Sequence, residues 1–178
     1  MNMKRYGSIE EMMAVPKKKI GSGMEHNVYP SHRNPEAVYK VGKGKIRMSW
    51  VRLFQEHPKI FPRVLDVKDN YVTLEKLDTN KAMEQYLTLD SLLKEDDELH
   101  DSDFAYTFHV IYRNNDQERL KLIDQHFQNM GQNVYNIYSK WRDLILNFFD
   151  IMPPNYYSDL HLGQFGYSKD GTLKILDF

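Results

Sequence analysis

The sequence predicts an α+β fold in two parts, a β-rich N-terminal lobe over residues 1–78 and a helical C-terminal lobe over 79–178. Three observations predict it. Short apolar and β-branched runs, separated by Gly, Asn and Asp, fill the first part. Beyond Asn80 apolar residues recur at helical spacing, most clearly Val134, Ile137, Tyr138, Trp141, Leu144, Ile145, Phe148 and Phe149. Pro153 and Pro154 then stop that pattern, and strand-like runs return on either side of Lys169-Asp170-Gly171.

Composition bounds the class. At 178 residues the chain suffices for one domain with two small lobes and a real core. Hydrophobic residues make up 41% and charged ones 28%, which is globular rather than disordered. A formal net charge of −1 argues against nucleic acid or membrane as a partner. The absence of cysteine excludes disulfides, thiolate metal sites and a Cys nucleophile, and fits a reducing cytoplasm. No window is apolar for long enough to span a membrane, and the N-terminus lacks a signal-peptide core. The expectation is a soluble, cytoplasmic protein of undetermined oligomeric state.

Each element has its own justification. Residues 9–15 predict a short helix ended by Pro16, followed by the basic cluster Lys17-Lys18-Lys19. Residues 20–28 read as strand, turn, strand, with Gly21, Ser22 and Gly23 at the turn. Residues 37–41 form a β run. Ile46, Trp50, Leu53 and Phe54 then mark an amphipathic helix ending before Pro58. Two strands follow, over 60–67 and 71–77, joined by a turn at Lys68-Asp69-Asn70. Helices are predicted over 82–87, 104–113, 117–130 and 134–149, and the acidic run 94–103 reads as a solvated loop. The helices between 103 and 130 either cover the apolar face of 134–149 or leave it for a partner.

Five stretches carry chemistry. Gly21 and Gly23 permit the close backbone approach that a phosphate-covering hairpin requires, with Ser22 between them and Val28 placed to cover a nucleotide base. His26 is assigned nothing beyond lining. Lys40 interrupts an apolar strand, which costs energy unless its ammonium meets an anion such as the phosphates of ATP. Glu75 and Leu77 stand where the lobes join, with main-chain groups suited to an adenine edge. Asp159, His161 and Gln164 follow the Pro-Pro break. A carboxylate at Asp159 would take the proton of a substrate hydroxyl, His161 would steady the transferred phosphoryl group, and Gln164 offers an amide oxygen to a metal. Asp177 ends a strand-like run and would bind Mg²⁺. A zinc site at Asp159 and His161 is the weaker alternative, for want of a third ligand.

These residues resemble the protein-kinase-like superfamily. The form D-L-H-x-G-Q at 159–164 is similar to the aminoglycoside-phosphotransferase branch, and GSGMEHNVY, AVYKVG, HPKIFPRVLDV and YVTLEKLD are similar to early protein kinases of bacteriophages. The resemblance implies a bilobal kinase-like fold with a reduced C-lobe, lacking the activation segment and later helices. It implies ATP and Mg²⁺ as cofactors, Gly21, Gly23 and Val28 over the nucleotide, Lys40 on its phosphates, Asp159 as catalytic acid, and Gln164 and Asp177 as metal ligands. A protein substrate follows for an active kinase, and a protein partner for a pseudokinase or binding module; in a viral setting either would work in the host cytoplasm. The chain departs from the pattern at Tyr157 for His, at Gln164 for Asn, and on the helix after Lys40. There the expected glutamate would lie near Met48, and the acid present is Glu56.

Overall fold

The computed structural model describes residues 21–22, 26–31, 34–42, 46–96, 98–153 and 160–176. The helix expected over 9–15 lies outside them, as do Gly23, Asp159 and Asp177. The fold is α+β and comprises two compact units. One takes the chain up to Gln55 together with Arg63–Lys76; the other takes Glu56–Pro62 together with the chain from Leu77 onward.

The first unit holds β1 (Gly21–Ser22), β2 (His26–Pro30), β3 (Ala37–Gly42), β4 (Val64–Val67), β5 (Tyr71–Glu75) and most of α1 (Met48–Glu56). Its described strands form one antiparallel sheet in the order β1-β2-β3-β5-β4, so β3 is central. Central strands are covered on both faces, and β3 obeys: Ala37, Val38, Tyr39 and Lys40 are all buried. Val38 and Lys40 share a face with their partners Leu74 and Val72, whereas Tyr39 meets Tyr71 edge-on at 5.7 Å on the other. Connections at the end of the sheet are tied to one turn. Gly42 N–H donates to Asn70 (2.9 Å) and Ile46 N–H to Asp69 (3.2 Å).

The strand expected over 60–67 is shorter than predicted. Residues 58–60 form a turn in which the N–H groups of Ile60 and Phe61 both donate to His57 at 3.0 Å. Pro62 has no N–H to give a ladder, so β4 begins only at Val64. Phe61 is fully buried in the second unit, its ring edge-on to Phe148 at 6.2 Å. Likewise β5 stops at Glu75 rather than Leu77.

The second unit contains α2 (Thr79–Leu93), α3 (Phe104–Asn114), α4 (Gln117–Asn129), α5 (Gln132–Ile151), a 3₁₀ turn (Leu162–Gln164) and the hairpin β6 (Phe165–Tyr167) and β7 (Leu173–Ile175). Side-chain caps start three of these helices: Asp78, Asp103 and Asp116 each accept backbone N–H groups of the first turn. Both α3 and α4 pack on α5, so its apolar face is covered within the unit. Tyr138 stacks on Phe127 with ring centroids 4.1 Å apart, and Trp141 lies against Tyr86 and Phe165. The run 94–103 is not simply solvated. Leu99 is buried, Arg119 pairs with Asp101 at 3.0 Å, and Asp103 both caps α3 and accepts the Tyr86 hydroxyl at 2.6 Å.

The hairpin turns on Gly171, whose φ of 83° suits glycine, and on Asp170, whose carboxyl pKa is pushed down to about 2 by hydrogen bonds from Ser168 and Thr172. It is anchored on several sides. Asp78 and Tyr167 exchange backbone bonds of 2.7 and 2.9 Å, and Ile175 N–H donates to Ile60 at 2.7 Å. The side-chain oxygen of Gln85 accepts both the Tyr167 hydroxyl (2.5 Å) and the Trp141 indole N–H (3.3 Å). In chain order the described elements are a five-stranded sheet with one helix, then four helices and a hairpin, an α+β fold. No helix of the described residues is long and apolar enough to cross a membrane.

Candidate functional site

The predicted residues fall in both units, and each unit's part is built separately. In the first, the ladder sets Gly21 opposite Val28, Val28 opposite Lys40, and Lys40 opposite Val72. A glycine, a small apolar residue and a cation thus lie in one row across β1, β2 and β3. Ser22 pairs with Asn27 one step along. The cover on both faces that makes β3 a core strand is also what buries Lys40, which is 4% exposed. Its ammonium lies over the Trp50 indole, 4.6 Å from the ring centroid. Such a contact is worth about 2 kcal/mol when desolvated, a real offset to the cost of burying the charge.

Glu75, at the end of β5, is also buried. Its carboxylate accepts the Arg63 N–H (3.1 Å) and Arg63 Nε (3.0 Å), and its own N–H donates to Arg63 C=O (3.0 Å). Glu75 is therefore bound to Arg63, the residue before β4, through side chain and main chain together. Glu56, the acid on α1, is exposed at the helix's last position.

In the second unit, Leu77 is buried and packs against Gly166. A methyl group added at Gly166 would lie 2.6 Å from the Leu77 Cβ, so only glycine admits this approach. His161 and Gln164 cap the 3₁₀ turn reciprocally: the His161 Nδ1 accepts the Gly163 N–H (3.2 Å), and the Gln164 Oε1 accepts the His161 N–H (3.0 Å). In this arrangement the His161 ring is exposed and its Nδ1 carries a lone pair, so its N–H lies at Nε2. The backbone C=O of Gln164 accepts the Leu176 N–H at 2.7 Å. That bond brings Gln164 beside the residue preceding Asp177, joining two segments that the sequence suggested as metal-holding.

Among the described residues no cluster of three or more His, Asp and Glu forms a metal site. Of the two expected Mg²⁺ ligands, Gln164 offers an oxygen that already accepts the His161 N–H, and Asp177 lies outside the described residues. The sequence reading missed Trp50. A carboxylate was expected on α1 near Met48, and two residues further on the Trp50 indole meets Lys40. It also missed Gln85, whose acceptor oxygen joins the hairpin to α5 from within a polar stretch of α2.

No family model matches the chain, and no curated protein matches it either. Among solved structures, the gentamicin–APH(2")-IIa complex aligns over 99% of this chain and 70% of that one, at 12% identity and a TM-score of 0.39. The streptomycin–ATP–APH(2")-IIa ternary complex aligns over 99% and 71%, at 13% identity and a TM-score of 0.34. Likenesses at these scores carry no weight for activity, and the α+β architecture stands on the elements and pairings given above.

Proposed function

We propose that this chain is an ATP- and Mg²⁺-dependent phosphotransferase of the protein-kinase-like kind, transferring the γ-phosphoryl group to a Ser or Thr hydroxyl of a protein. The observation that carries the reading is Lys40. It is a buried cation at the centre of the sheet, in register with Val28 and, one strand further, Gly21. A buried ammonium at the centre of a sheet is the group that phosphate recognition calls for, and this placement supports the reading.

When bound, Mg²⁺-ATP supplies the transferable phosphoryl group, with part of its charge offset by the metal. Gly21, Ser22 and Gly23 would cover the phosphates with backbone N–H groups. Val28 would lie on the base, with the Glu75 and Leu77 main chain along its edge. Lys40 would hold the phosphate oxygens, and Gln164 and Asp177 would hold the metal through oxygen atoms. Asp159 would accept the hydroxyl proton as the oxygen attacks, and the His161 Nε2–H would donate to the group in transit.

The reading is tested with γ-³²P-ATP and Mg²⁺, scored for label on the chain itself and on a mixture of cellular proteins. Asp159→Asn is expected to lower transfer by at least about 100-fold, the usual scale for a lost general base. Transfer that survives the substitution overturns the catalytic assignment. A second reading, a kinase-like binding module that works by protein contact, is favoured by the Gln164 side-chain oxygen, which already caps His161. It predicts nucleotide binding or partner binding with no transfer at all.

A further inference from the structure

We propose that Trp50 is a positioning residue for Lys40, its indole face fixing where the ammonium sits. The consequence for catalysis rests on the phosphate-binding reading of Lys40; the seat itself does not. Lys40 Nζ lies 4.6 Å from the Trp50 ring centroid, well inside the reach of a cation–π contact, and Trp is the strongest of the aromatic partners. Trp50 is one of the groups that Lys40 meets, and three features fix where its ring sits.

The first is packing on its own helix. Phe54, four residues on and fully buried, holds the indole at 4.2 Å between centroids. The second is the start of α1: Trp50 N–H and Val51 N–H both donate to Arg47, and Val51 is fully buried. The third is the connection from β3. Gly42 and Ile46 donate to Asn70 and Asp69 of one turn, which sets the distance between the strand carrying Lys40 and the helix carrying Trp50.

An indole differs from a carboxylate in a way that matters here. A carboxylate would neutralise the ammonium and compete with phosphate for its three N–H donors. The ring quadrupole attracts the cation without cancelling its charge and takes no conventional hydrogen bond. α1 offers no acid before Glu56, and the contact it makes with Lys40 is through the face of its Trp50 ring.

The test is ¹H–¹³C NMR of the lysine εCH₂ groups in the full chain, with the Lys40 peak identified by its loss in Lys40→Arg. The indole ring current should move that peak upfield of the other lysines. Trp50→Leu should return it to the common position, and Trp50→Phe should leave it between. A wild-type Lys40 peak among the exposed lysines, or one unmoved in Trp50→Leu, overturns the seat, and the wild-type measurement decides even if the variants fold poorly. In the phosphotransfer assay Trp50→Leu should cost about tenfold in kcat/KM for ATP, with partial recovery in Trp50→Phe. Unchanged kinetics in a folded Trp50→Leu overturn the positioning role. Wild-type protein that neither binds nor uses Mg²⁺-ATP defeats the phosphotransferase reading, and the NMR arm then still decides the seat.

Discussion

Lys40 is the residue at which stability and activity part company. Lys40→Met keeps the length of the side chain and removes the charge, along with the cost of burying it. The expected outcome is a melting temperature within about 4 °C of wild type without nucleotide, on the scale of 1 kcal/mol for a chain of this size. The thermal shift caused by Mg²⁺-ATP should disappear. Asp90 is a second such residue, with a structural role. Burial works to raise its carboxyl, but hydrogen bonds from Lys94 and His100, the Lys94 charge and the Phe104 N–H outweigh burial, and the pKa lies below its ordinary 3.8. A carboxyl depressed in the folded state contributes stability above its unfolded value, and that contribution is lost as pH falls through the folded one. Urea midpoints followed from pH 6 to pH 2 should therefore fall less steeply in Asp90→Asn than in wild type. Equal slopes would mean that the cluster adds nothing to acid stability.

Among the elements, the start of α3 carries the clearest expectation. Asp103 caps the helix through Tyr106 N–H at 3.0 Å and receives the Tyr86 hydroxyl of α2 at 2.6 Å, so one carboxylate serves two elements. Asp103→Ala should cost about 2–4 kcal/mol by chemical denaturation, a lost cap plus an orphaned hydroxyl, and Asp103→Asn clearly less. Gly166→Ala in β6 should cost about 1–3 kcal/mol, because the new methyl meets the Leu77 Cβ; a neutral result would show that β6 can shift. The helices were legible where apolar spacing was unbroken: 117–130 was expected and Gln117–Asn129 is observed. α2 was read only over 82–87, because polar Asp90 occupies a buried position that a periodicity reading counts as solvent-facing. The strand expected over 60–67 failed for another reason. Phe61 is apolar because it serves the other unit's core, and a run of apolar residues does not declare which core it joins. At the site, Lys40 could be found as a cation breaking an apolar strand. The register that sets it opposite Val28 could not, since that depends on the length and geometry of the β2–β3 connection. Trp50 stayed hidden because an aromatic residue on an amphipathic helix reads as ordinary core.

For the molecule as a whole, the proposed function predicts ligand-linked stability. Mg²⁺-ATP at about 100 times its Kd should add roughly 2.7 kcal/mol to the unit or units that bind it, seen as a concentration-dependent rise in melting temperature. ATP without Mg²⁺ should give a smaller rise if Gln164 and Asp177 hold the metal. Indifference to nucleotide at millimolar concentration would remove the basis for both readings of the site. The route of the chain adds a separate consequence. It leaves the first unit after Gln55, returns at Arg63 and leaves again after Lys76. Scissors at that last junction would not yield two self-sufficient halves. The piece from Leu77 onward would be without the Phe61 ring that fills space beside Phe148 and without the Ile60 carbonyl that receives Ile175. Seven residues on loan from the middle of one folding unit thus make the other's interior whole.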